Sequence, residues 1–163
     1  MTSPIDEYCP EDTRNHIYAV QEQMHNAMDN LRHRALRHDR SKCEEPERSG
    51  FAAMAEELKL ADTEYGSDEY RAILRKYKAS TIEHHYAAND HHPEFYDQNA
   101  GLAGMSLLSL LEMLCDWKAA TLRMKDGDLM RSIQINQERF GYSDTLRAIL
   151  ENTARELGMV VES

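Results

Sequence analysis

The sequence predicts an all-α protein, and three observations carry that prediction. Only seven glycines and four prolines punctuate 163 residues, too few turn formers for a chain of many short strands. Apolar residues recur at helical spacing almost throughout, and the Val-Ile-Thr alternation of half-buried strands is nearly absent. The length suits one domain with a core of its own. The expectation is a single helical domain over 1–163, with six or seven helices and a loosely ordered segment at 1–11. No internal repeat, low-complexity tract or linker interrupts it.

The first helix should start near Asp12 or Thr13, either of which can cap it. Its apolar stripe is Ile17, Val20, Met24, Ala27 and Leu31. Asp29 and Asn30 are good capping residues and poor helix-interior ones, so if His16 and His38 are to share a metal the break is expected there. A helix to about Met28 is then followed by a short one over 31–37. The stretch 43–50, with Pro46 and several charges, reads as a loop.

A second helix carries Phe51, Met54, Ala55 and Leu58 on one side and should end at Tyr65-Gly66, glycine being favoured just past a helix. Ser67 caps a third, with Asp68 and Glu69 well placed in its first turn. Its stripe of Tyr70, Ile73, Leu74, Tyr77 and Thr81 continues to His84, His85 and Ala88, and Asn89-Asp90 ends it. A fourth helix spans about 104–125. Leu107, Leu108, Leu110, Leu111, Met113, Leu114 and Trp117 surround most of its circumference, which predicts a central, buried helix. Asp126-Gly127 marks a turn, and a shorter helix reaches Arg139-Phe140-Gly141. Ser143 caps the last helix, with Leu146, Ile149, Leu150 and Leu157 on its inner face and Gly158 after it.

Composition excludes several classes of function. A net charge of −10 leaves no basic footprint for a nucleic-acid polymer and disfavours anionic membranes. No apolar run approaches the ~20 residues that span a bilayer. The N-terminus lacks the basic start and apolar middle of a signal peptide, so the expected location is the cytoplasm. Three cysteines, Cys9, Cys43 and Cys115, without C-x-x-C spacing form neither a disulfide framework nor a zinc ribbon. A small anionic substrate stays possible if a metal and a few cations reverse the field locally.

The chemistry-bearing residues then stand out. His38-Asp39 offers an imidazole and a carboxylate side by side, two ligand types that divalent first-row metals accept together. Asp116 is a carboxylate on the most hydrophobic helix, costly to bury unless paired or bound to a metal. His16 lies upstream. An unbroken helix would hold it roughly 33 Å from His38, at ~1.5 Å per residue, so the break at Asp29-Asn30 is what would let both reach one ion. His84, His85, His91 and His92 supply four imidazoles within nine residues, with Asn89 and Glu94 between and after. They fit either a second metal or the acid-base and phosphate-contacting groups of a site, with His85 and His92 favoured. Lys42, Lys118 and Arg123 are placed to neutralise phosphate oxygens. His25 and His33 read as solvated. The sequence has no Gly-rich phosphate loop, G-x-S-x-G elbow or H-E-x-x-H.

An early histidine, a His-Asp pair and a late aspartate on separate helices resemble the HD superfamily of metal-dependent phosphohydrolases. His16, His38-Asp39 and Asp116 carry the likeness, with Lys42 as in the common HD-x-x-K form. The strings His38-Asp-x-Ser-Lys42, Tyr65-Gly-Ser67, His85-Tyr-x-x-Asn-x-His-His-Pro-Glu94, Glu112-Met-Leu-Cys-Asp-Trp-Lys118 and Arg139-Phe-Gly141 look like an uncharacterised family of small phage and bacterial proteins. The HD resemblance implies one divalent metal, or two, of Mn, Fe, Co, Zn or Mg, held by His16, His38, Asp39 and Asp116. It further implies hydrolysis of a small phosphorylated substrate, with a nucleotide as the leading expectation, by metal-activated water. Lys42, Lys118 and the 84–92 histidines would hold the phosphate. Two other readings remain: a non-catalytic phage protein that binds a nucleotide or a host factor, and a di-iron oxygenase built on the extra histidines. A homodimer is compatible with the architecture, although no stripe names its interface.

Overall fold

The protein is described by a computed structural model, covering residues 9–63, 67–96, 101–123 and 127–160. Among these residues it is all-α: seven α-helices, short 3-10 and π turns, and no strand. The chain falls into two units, Met1–His38 and Asp39–Ser163, each taken by itself below. Among the described residues, no helix is long and apolar enough to cross a membrane.

Among its described residues the first unit carries one helix, α1 (Glu11–Arg37). It runs without a break through Asp29-Asn30, where the sequence reading placed one. Asn30 donates its side-chain amide to the Asn26 carbonyl one turn back, at 2.8 Å, so its polar group is satisfied inside the helix instead of competing with it. The capping expectation also fails, since Pro10 occupies the N-cap and no side chain caps the helix. Glu11 and Asp12 favour the start through the helix dipole, and Arg34 and Arg37 favour the end.

The second unit begins with a 3-10 turn at Arg40–Cys43, then α2 (Glu47–Ala61), α3 (Asp68–Lys76) and α4 (Glu83–Ala88). α2 starts four residues ahead of the first apolar position, inside what reads as loop. Ser67 caps α3 as expected, accepting from the Tyr70 amide at 3.1 Å. α2 ends at Ala61, with Asp62 in the left-handed region after it, short of the end expected at Tyr65-Gly66, whose own positions lie outside the described residues. Lys76 and Tyr77 at the far end of α3 both reach Glu57 of α2, at 2.7 and 2.8 Å.

The stripe from Tyr70 to Ala88 is not one helix. A π turn at Lys78–Ile82 separates α3 from α4, closed by the Ile82 amide on the Tyr77 carbonyl at 3.2 Å. The five-residue reach of that bond inserts one residue into the helical register. Thr81 of the turn is buried against Gly50 of α2, where a Cβ would lie 2.0 Å from its Oγ1. Glycine at 50 is what lets the turn close on α2.

After α4 come 3-10 turns at Pro93–Phe95 and Gly101–Gly104, then α5 (Leu107–Thr121), α6 (Leu129–Phe140) and α7 (Asp144–Glu156). Ser106, Asp128 and Ser143 cap these three helices through their side chains, and Gly141 takes the left-handed φ of 65° that turns α6 into α7. Leu114, Leu129, Ile133, Tyr142, Leu150 and Ala154 form the core they share, each large apolar side chain contributing about 1.5–3 kcal/mol. The Tyr142 hydroxyl donates to the Ile133 carbonyl inside it.

α5 is shorter and less enclosed than its leucine content predicts. Ser109, Met113 and Leu114 are buried, but Leu107 is 80% exposed. Arg123 lies past its end, although the sequence reading carried the helix to about residue 125.

Candidate metal centre

Asp39 follows α1 with φ 54°, a left-handed conformation that aspartate tolerates better than most residues but still at a cost. That backbone opens the 3-10 turn carrying Lys42, whose Nζ sits 2.5 Å from Asp39 Oδ2. The other oxygen, Oδ1, faces inward, 3.4 Å from His85 Nε2 and 3.5 Å from His91 Nε2. His92 Nε2 lies 2.9 Å from His85 Nε2. His85 is on α4, and the turn after it brings His91 and His92 back to the same point.

One ligand atom from each of Asp39, His85, His91 and His92 lies within 4.8 Å of all the others. An ion with bonds of about 2.1 Å separates neighbouring ligands by roughly 3.0 Å in octahedral and roughly 3.4 Å in tetrahedral geometry. The three distances above match those edges. Three imidazoles and a carboxylate are a donor set for Mn, Fe, Co or Zn rather than for Mg or Ca, which prefer oxygen alone.

The far side of the histidines is equally specific. His85 Nδ1 is 2.8 Å from Glu47 Oε2, and Glu47, at the first position of α2, has 0% exposure. A carboxylate can only accept, so Nδ1 carries the proton and Nε2 keeps its lone pair toward Asp39. The Glu47 Oε1 atom accepts from His84 at 2.8 Å, and Oε2 also from Ser41 at 2.8 Å. Burial alone would raise the pKa of Glu47, but these three donors outweigh it and hold the group below the usual carboxylate value. His91 repeats the pattern, its Nδ1 lying 3.3 Å from Glu112 Oε1. A carboxylate behind a ligand histidine fixes its tautomer and raises its basicity.

Asn89 locks the arrangement. Its two amide hydrogens go to Ser41 Oγ and to the His85 carbonyl, both at 2.8 Å, so its 3.1 Å approach to His85 Nδ1 is packing. Phe51 stands edge-on to the His85 ring at 5.4 Å. His92, largely buried beside two other imidazoles, has its pKa pushed down to about 3, first by burial and then by His91 and His85. It is neutral at pH 7, the form that binds a metal.

The residues expected from the sequence are thus sorted anew. Asp39, His85, His91 and His92 converge. Asp116, half-buried on α5, is near enough for its charge to act on His92. His38 is the C-cap of α1 and bonds directly to Asp39. The unbroken α1 puts His16 roughly 33 Å from His38, so no single ion is shared by those two. His85 and His92, read as acid-base groups, stand as ligand candidates, and His91, read as substrate-binding, joins them. Asn89, also read as substrate-binding, is committed to the scaffold. Lys42 holds Asp39. Glu94 is ion-paired to Arg139 at 2.5 Å. Lys118 is half-buried on α5, and Arg123 is exposed beyond it.

Sequence reasoning missed Glu47 and the role of Glu112. An acidic residue at a helix start reads as a dipole partner, and nothing local signals that it is fully buried. The only clue was relational: four histidines in one stretch require acceptors for the nitrogens that do not bind metal.

An all-α chain that turns three histidine Nε2 atoms and an aspartate oxygen toward one point, two of the rings backed by acids, has a cluster able to hold a metal ion. By sequence the chain belongs to a family of unknown function (DUF5662), whose family model matches residues 6–156. No curated protein and no solved structure matches it.

Proposed function

We propose that the protein is a divalent-metal-dependent hydrolase of a small phosphorylated substrate, with a nucleotide as the first candidate. The observation that carries the metal is the convergence of Asp39 Oδ1 with the Nε2 atoms of His85, His91 and His92 while Glu47 and Glu112 stand behind two of the rings. The phosphoryl substrate rests on the HD resemblance, and charge is in keeping with it. In a chain of net charge −10, a fixed cation would reverse the field locally for an anion.

In this reading Asp39, His85, His91 and His92 hold the ion, and four protein donors leave room for water or substrate. When bound, the metal would polarise a phosphoryl oxygen and acidify a water. Glu47 and Glu112 keep the imidazoles oriented. Lys42 restrains Asp39 from the opposite oxygen, and Arg139 holds Glu94 in an ion pair. Lys118, half-buried on α5, would contact the phosphate.

The test is phosphate release from a panel of nucleoside mono-, di- and triphosphates by protein loaded with Mn, Fe, Co or Zn. Metal-dependent release that disappears in His91→Gln supports the proposal. Tight nucleotide binding without turnover at full metal occupancy would overturn the hydrolase and favour a binding protein. Turnover that needs iron and O₂ would favour an oxygenase.

A further inference from the structure

We infer that α1 is a self-association helix, pairing antiparallel with α1 of a second copy of this chain. The helix has 27 residues and none of them is buried, over a length of about 40 Å. Its apolar positions Ile17, Val20, Met24, Ala27 and Leu31 follow one another at intervals of three and four, the spacing that brings side chains onto one seam. Along and beside that seam Val20 is 44% exposed, Met24 61% and Met28 54%. Isolated helices in water draw most of their stability from a packed apolar face, and a row of exposed apolar side chains marks an interaction surface.

The charges select the occupant. Residues 11–24 carry Glu11, Asp12 and Glu22 against Arg14, a net of −2, while residues 25–37 carry Arg32, Arg34 and Arg37 against Asp29, a net of +2. A second α1 running the other way sets each acidic half beside a basic half, and it opposes the two helix dipoles head to tail. A parallel pair would set like beside like. With the two-fold axis at Met24, the midpoint of the helix, Ile17 of one copy is level with Leu31 of the other and Val20 with Met28. Apolar residues then meet apolar residues along the centre.

Sedimentation equilibrium on the full chain, metal-loaded and over a dilution series, tests the inference. The expected species is a dimer of twice 18.8 kDa, converted to monomer by Met24→Glu with helical circular dichroism retained. Orientation is read by disulfide trapping after Cys9, Cys43 and Cys115 are changed to serine. Met24→Cys should cross-link to itself across the axis and Val20→Cys should not, whereas Val20→Cys with Met28→Cys should. Equal self-cross-linking at Val20 and Met24 would show a parallel pair and overturn the proposal. So would a dimer indifferent to both Met24→Glu and Val20→Glu. A monomer at every concentration would overturn it too, leaving the face to the rest of the same chain or to a different protein.

Discussion

His85 Nδ1 lies 2.8 Å from Oε2 of Glu47, a carboxylate with no exposed surface. This pair joins two levels of the molecule. For folding, Glu47 gathers His84, His85 and Ser41 from two other segments onto the start of α2. For function, it decides which nitrogen of His85 is left to bind a metal. Replacing it by glutamine keeps the shape but removes the charge and offers an amide where a pure acceptor stood. Glu47→Gln should lower metal affinity by about 10–100-fold, the usual effect of losing such a partner, while the helical content is unchanged. Isothermal titration with Zn or Co reads it, and an unaltered affinity would contradict the role assigned to Glu47.

The acid side of the stability profile should carry the mark of His92. In the folded protein its pKa is pushed down to about 3 from 6.5, so between those values the unfolded chain binds the proton and the folded chain does not. Stability therefore falls as pH is lowered through that window and is fully present above about 6.5. Glu47, held below its ordinary 4.5, adds a second loss that begins as pH drops under that value. Thermal melts of chelator-treated protein at pH 7, 5 and 4 should show a falling Tm, with a shallower fall in His92→Asn between pH 6.5 and 4.5. An identical slope in the variant would contradict the assignment.

Gly50 offers a test that leaves the ligands themselves untouched. A methyl group there would collide with the buried Thr81 side chain, which belongs to the π turn leading into α4. Gly50→Ala should cost about 1–3 kcal/mol by overpacking and should weaken metal binding through displacement of α4 and His85. A stable variant with full affinity would show that the π turn gives way without consequence.

Gly141→Ala serves as the contrast. No atom crowds a Cβ at this position, but its φ of 65° penalises any side chain by about 1–2 kcal/mol. The expected outcome is a lower Tm with metal affinity unchanged, since the α6–α7 turn contributes no residue to the cluster. A concurrent loss of metal binding would contradict that separation.

The fold was legible in the sequence where signals are local and chemical. Ser67 and Ser143 announced their helices as caps, Gly141 and Gly158 closed theirs, and Asn89 ended α4. The misreadings have a common cause, that local propensity yields to what surrounds it. Asp29-Asn30 did not break α1 because Asn30 bonds back to Asn26. The leucines of α5 did not all turn inward, since only its Ser109, Met113 and Leu114 side are buried. The stripe from Tyr70 to Ala88 hides a π turn that shifts its register by one residue. At the site, residue types pointed to Asp39 and the 84–92 histidines. They could not reveal Glu47, whose importance lies in a hydrogen-bond network spanning 38 positions of sequence.

The most direct measurement is metal stoichiometry by elemental mass spectrometry on tag-free protein, comparing wild type with His91→Gln, Asp39→Asn and His16→Ala. Bound transition metal is expected in wild type and in His16→Ala, and its loss in His91→Gln and Asp39→Asn. Retention in both of those variants, or no uptake by wild type after soaking with Mn, Fe, Co or Zn, would contradict that expectation.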